Sequence, residues 1–151
     1  MRKDAIFAIF LASLTLSSCG QSDPVQVESF SGEVPHSTLS SDGSWAALLV
    51  DTKAPKLYIT MWGSSSCPWI ATGVDHNPPV VEHIRITTQQ SLSDSGICSA
   101  DINAHTSEIT LDPDIALADQ ITVSLESFSG SITLAPQKEQ KMETESRRKK
   151  Q

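Results

Sequence analysis

Ser64, Ser65 and Ser66 stand in a short turn between Gly63 and Pro68, and such a run of hydroxyls is where a hydrolase nucleophile would be sought. A nucleophilic serine needs a base within hydrogen-bond reach, and in α/β-hydrolases it sits in a Gly-x-Ser-x-Gly elbow ahead of a helix. The elbow is missing, and the histidines are scattered: His36 in a polar stretch, His76 in a proline loop, His83 on an outward strand face, His105 in another loop. His76, His83 and His105, with Asp75 and Asp101, are of types that suit a divalent transition metal, but their spacing matches no metal motif. The expectation is therefore no catalytic residue, no metal site and no cofactor. Asp101 is expected to accept backbone hydrogen bonds in a turn just beyond Cys98, in the manner of an Asx-turn. Trp45, Trp62 and Trp69 are expected to pack in the core or against sulfur, although Tyr58 and Trp62 share one strand face as a carbohydrate platform would.

The start of the chain supplies an address. Arg2 and Lys3 precede an apolar run over residues 5–16, which ends at Ser17, Ser18, Cys19 and Gly20. A spanning helix needs roughly 20 apolar residues, so a run of about a dozen reads as an export signal and not as a retained anchor. Leu16-Ser17-Ser18-Cys19 resembles the lipobox of bacterial lipoproteins. The resemblance implies diacylglycerol on the Cys19 thiol and cleavage between Ser18 and Cys19. With at least two acyl chains, at about 0.8 kcal/mol per buried methylene, such an anchor holds firmly. Gly20 is not the Asp that marks inner-membrane retention, so the expected location is the cell membrane or the outer membrane, with the domain outside the cytoplasm.

With Cys19 lipidated, two of the three cysteines remain in a compartment where disulfides persist, and Cys67 and Cys98 are expected to pair. Trp62-Gly63-Ser64-Ser65-Ser66-Cys67-Pro68, followed by Cys98-Ser99-Ala100-Asp101, also resembles a group of small lipoproteins and secreted proteins of Gram-positive bacteria. In that group the two cysteine blocks bracket a β-hairpin. The likeness covers residues 62–136 and brings no activity with it.

Alternation then sets the elements that must position these residues. Leu57, Ile59 and Met61 alternate with Tyr58, Thr60 and Trp62, which is a strand pattern. Residues 70–74 and 80–88 read as a hairpin around a proline-rich loop, with Ile84 and Ile86 inward and His83 and Arg85 outward. Residues 45–50, 108–111, 121–125 and 131–134 add further strands, the last pair turning at Ser129-Gly130. Six or seven short strands predict an all-β fold, a small disulfide-stapled β-sandwich or open barrel. Glu-Ser-Phe-Ser-Gly at 28–32 and again at 126–130 is either a pair of related hairpins or, as composition favours, coincidence.

The expected organisation is a signal peptide over 1–18, lipidated Cys19 with a flexible tether to 44, a β-domain over 45–136 and a charged tail over 137–151. The formal net charge of −7 and the acidic body disfavour nucleic acid as a partner. The basic cluster Arg147-Arg148-Lys149-Lys150 has two readings, contact with acidic lipid or wall polymer, or a solvated end without a partner, and the second is the expectation. The functional expectation is a non-enzymatic envelope domain, attached to the membrane through its lipid and binding another envelope component or protein. Its rivals are an envelope-acting enzyme or enzyme subunit, and a metal- or small-ligand-binding lipoprotein.

Overall fold

The computed structural model describes residues 26–76, 80–113 and 116–138; Cys19 and the basic cluster 147–150 lie outside them. The described residues form strands β1 (Gln26–Ser31), β2 (Thr38–Leu39), β3 (Trp45–Asp51), β4 (Lys56–Gly63), β5 (Trp69–His76), β6 (Val80–Gln90), β7 (Asn103–Thr110), β8 (Ala116–Leu125), β9 (Ser131–Leu134) and β10 (Gln137–Lys138). No helix occurs among them, and so none is long and apolar enough to cross a membrane.

One sheet runs β1-β7-β4-β3, and the far margin of β3 is shared by β2, antiparallel to Ala46 and Ala47, and β10, parallel to Val50 and Asp51. The other runs β5-β6-β8-β9, with β6 and β8 parallel. The sheets do not close on one another, so the all-β expectation resolves to a sandwich. Trp45, Ala47, Leu49, Leu57, Ile59, Met61 and Ile109 from the first sheet share one core with Ile84, Ile86, Ile121, Val123, Ile132 and Leu134 from the second, all 5% exposed or less. Each large aliphatic side chain buried this way contributes about 1.5–3 kcal/mol. The alternation read at residues 57–61 and at Ile84 and Ile86 is the one observed.

Two boundaries are corrected. The stretch 19–44 is not all tether: within it β1 pairs along its whole length with β7, from Gln26 opposite Thr110 to Ser31 opposite His105, and β2 edges β3. β1 escapes a sequence reading because it is an edge strand in which only Val27 is even half-buried, so no apolar alternation marks it. The charged tail likewise begins too early at 137, since Gln137 and Lys138 pair with β3. The repeated pentapeptide has unlike settings, an edge strand at 28–32 and the β8–β9 turn at 126–130, which agrees with coincidence.

β1 and β2 lie at opposite margins of one sheet, so the short segment joining them must pass over β7, β4 and β3. This strap hugs the outer face. Gly32 donates its N–H to Ala104 O at 2.9 Å, and its carbonyl accepts from the Thr106 hydroxyl at 2.6 Å. Further along, Glu33 accepts from the Trp62 indole, and His36 borders a cavity with Leu48. Beneath the strap Thr60 and Thr106 are fully buried although they face away from the core, and their hydroxyls bond one another at 2.8 Å, so neither is left unsatisfied. Within the strap His36 takes φ 67°, as the third position of a turn over 34–37 whose second position is Pro35, and the Ser37 hydroxyl donates to Val34 O at 2.8 Å.

Candidate functional site

The site forms where β1, β4 and β7 end together. Register brings Trp62 opposite Ala104 and Gly63 opposite Asn103, while Gly32 docks on Ala104 from the other side. Beyond these ends the chain turns through 64–68 into β5, and the long β6–β7 connection returns over it. The Cys67–Cys98 disulfide joins the two, with alpha carbons 5.4 Å apart. That distance lies within the usual range of roughly 4.4–6.8 Å. Cys67 is fully buried whereas Cys98 is exposed. The sequence expectation of this pairing, and of a hairpin enclosed by it, holds: β5 and β6 pair antiparallel inside the loop.

Between strap and staple lies a cavity of about 660 Å³, lined by Gly32, Glu33, Trp62, Ser64, Ser65, Ile102, Asn103 and His105 among others. Trp62 is half-buried there, and its Nε1–H donates to Glu33 Oε1 at 3.2 Å, which fixes the indole against the strap. Trp45 and Trp69 are packing residues as expected. Trp45 is wholly buried, and Trp69 meets Phe128 edge-to-face with ring centroids 5.2 Å apart. A side chain at Gly63 would put its Cβ 3.2 Å from Trp69 Cδ1, so glycine there lets the indole close on the end of β4.

Beside the cavity the serines form a network. The Ser99 hydroxyl lies 2.8 Å from that of Ser64, 3.2 Å from that of Ser65 and 3.1 Å from that of Ser66, and the Ser99 amide donates to Ser66 Oγ at 2.8 Å. Asp101 gathers them. Its Oδ1 accepts from the Ser99 hydroxyl and, at 3.1 Å, from the Ser65 amide, and its Oδ2 accepts from Asn103 Nδ2 at 2.8 Å. The expected local Asx-turn is thus corrected. The backbone group that Asp101 holds belongs to Ser65, 36 residues earlier, so the carboxylate laces the two sides of the disulfide together.

Hydrogen bonds from Ser65 and then Ser99 hold the Asp101 carboxyl far below the usual carboxylate range. A carboxylate so stabilised is a poor proton acceptor, and so the group nearest the serines is unsuited to activate one. Because the folded-state value is depressed, the stabilisation from Asp101 is fully present above about pH 4, the ordinary Asp range, and fades as pH falls below it. In thermal melts, Asp101→Asn is expected to lower the melting temperature at pH 7, with the gap to wild type narrowing as pH approaches 2. A gap that stays constant across that range would contradict this role.

The histidines do not converge. His76 ends β5, His83 points outward from β6, His36 sits in the strap, and only His105 borders the cavity. Burial pushes the His105 imidazole below its ordinary value. Among the described residues no group of three or more His, Cys, Asp or Glu is arranged to hold a metal ion. Sequence reasoning singled out Trp62, the serines and Asp101 but missed Glu33 and Ile102, which reach the cavity only through the strap and the β6–β7 connection. A second cavity, of about 680 Å³, lies at the β9–β10 margin between His36, Leu48, Thr133 and Lys138, and no Trp, Tyr or Phe of the described residues lines it.

Compared with protein-family models, curated proteins and solved structures, the chain matches none.

Proposed function

We propose that this chain is a lipid-anchored, non-enzymatic β-domain of the cell envelope that binds another envelope component or protein through the Trp62 cavity. The observation that carries the reading is the construction of that cavity. An aromatic side chain is held in place by Glu33, and the walls are fixed by a strap hydrogen-bonded to the sheet on one side and a disulfide on the other. Rigid walls around a half-exposed indole reduce the ordering cost of binding, as in other preformed sites. The enzymatic alternative lacks a comparable observation, because the serine hydroxyls are tied to one another and to a weakly basic Asp101. Membrane attachment rests on the lipobox-like Leu16-Ser17-Ser18-Cys19.

A photo-crosslinking amino acid placed at Ile102, on the rim, tests the binding reading in living cells. Discrete adducts are expected, and they should disappear when Trp62→Ala is added and be absent when the same crosslinker is placed at Thr122 on the β8 strand. Adducts that persist without Trp62, or a rim that captures nothing, would overturn it.

A further inference from the structure

We infer that the Trp62 cavity is a site for a primary alkylammonium group of the lysine type. The inference rests on the binding reading above and names the chemistry that reading leaves open. Its first support is the distribution of charge. The cations among the described residues are Lys53, Lys56, Arg85 and Lys138, and none borders this cavity. Lys56 opens β4 at the end opposite Trp62, roughly 20 Å away at about 3.3 Å per residue, and is paired with Glu108. Arg85 lies on the other sheet beside Glu126, and Lys138 borders the second cavity. Among the described residues the charged groups at the Trp62 end are Glu33 on the wall and Asp101 behind it, and burial holds His105 below its ordinary value, which favours its neutral form. A cation entering here meets negative potential from both carboxylates.

The second support is the pairing of an indole with a carboxylate. Trp presents the best aromatic face for a cation, effective within roughly 6 Å of the ring centroid. The Trp62–Glu33 hydrogen bond keeps that ring and an anionic oxygen side by side. A carboxylate offers about four acceptor positions, of which the indole takes one, so Glu33 can also receive an ammonium N–H. The same bond separates lysine from arginine. Oε1 already accepts from Trp62, which obstructs the two parallel bonds a guanidinium makes with a carboxylate, whereas an ammonium needs one contact point and turns its other N–H groups to nearby hydroxyls such as Ser64 and Ser65. The rim suits the stem that carries the charge. Ile102, on the wall, is 80% exposed, and Pro68 lies on the same lining, so a chain of methylenes would find apolar surface there.

The test uses the mature full chain in detergent, with the Trp62 indole N–H resonance as the readout, identified by its loss in Trp62→Phe. The probes are Nα-acetyl-lysine methylamide, a blocked Ala-Leu-Lys-Leu-Ala peptide, and the same two molecules acetylated on the side-chain amine. Saturable movement of the resonance by the lysine probes is expected, at least tenfold weaker after acetylation and at least tenfold weaker in Glu33→Gln, which keeps an acceptor for the indole but removes the charge. Movement by both lysine probes assigns the site to the side chain alone, and movement by the peptide only assigns it to lysine within a chain. Acetylated probes that bind as well as the amines, or resonances that none of the probes moves, would overturn the ammonium assignment. Rim adducts that still depend on Trp62 would then leave the binding reading standing, so the two failures are distinguishable.

Discussion

Reduction of the Cys67–Cys98 bond is expected to destabilise the domain by about 2–5 kcal/mol, the range found on removing a native disulfide from a small exported domain. The bond closes a loop with a sequence separation of 31, for which the chain-entropy model gives about 3–4 kcal/mol. Strand pairing does little to replace it. Within the loop the β5–β6 hairpin keeps its own ladder and its contact with β8, but the β6–β7 connection, which reaches the cavity at Ile102, has no strand pairing. Freed from Cys98, that connection would retain the Ser99–Ser66 bonds and the Asp101 contacts, all of them exposed to competing water. At roughly 4–8 °C per kcal/mol for a domain near this size, the melting temperature should fall by about 10 °C or more on reduction. The double change Cys67→Ala with Cys98→Ala should match the reduced protein, because the covalent constraint is what is lost. Two thiols titrating in the oxidised mature protein, or melts that coincide with and without reductant, would refute the staple.

On the proposed anchor, Cys19→Ala is expected to abolish fatty-acid labelling and to block processing at Ser18-Cys19, so that the apolar run over 5–16 stays on the chain. The effect should be close to all-or-none. A single acyl chain holds marginally and two hold firmly, at about 0.8 kcal/mol per buried methylene, so on the proposed anchor loss of the Cys19 thiol removes the whole contribution of the lipid. The measurements are fatty-acid labelling and apparent mass of wild type against variant. A Cys19→Ala protein that still incorporates label, or that is shortened as wild type is, would mean that maturation works through something other than the lipobox.

The core strands were legible because their chemistry is repetitive. Leu57, Ile59 and Met61 alternate with half-polar neighbours, Ile84 and Ile86 do the same, and each set maps onto a buried face. β1 was illegible for the opposite reason, since a strand whose side chains stay in contact with water has no need of apolar alternation. Thr60 and Thr106 also mislead a pattern reader: they sit on what should be the solvent side, yet are buried by the strap and satisfy each other. At the site, Trp62, the serines and Asp101 stand out within two short blocks, whereas Glu33 comes from another segment and meets them only through topology, and Ile102 and His105 follow the second block with no pattern to mark them. The one sequence signal bearing on their meeting is the cysteine pair, which ties 64–68 to 98–101 without revealing that the strap closes the third side.

The early start of β1 has a geometric consequence. Between Cys19 and Gln26 the chain can reach at most roughly 25 Å, whereas a tether running to residue 44 would have allowed roughly 90 Å. On the proposed anchor, the sandwich is therefore held close against the bilayer and does not sweep a wide volume above it. Its attitude is constrained as well. Gln26 pairs with Thr110, which pairs with Lys56, so the chain arrives at the end of the sheet that carries the Lys53–Lys56 loop, while Ser31 at the far end of β1 pairs with His105 beside the cavity. On the proposed anchor the end that carries Lys53 and Lys56 would lie nearer the bilayer than the Trp62 end.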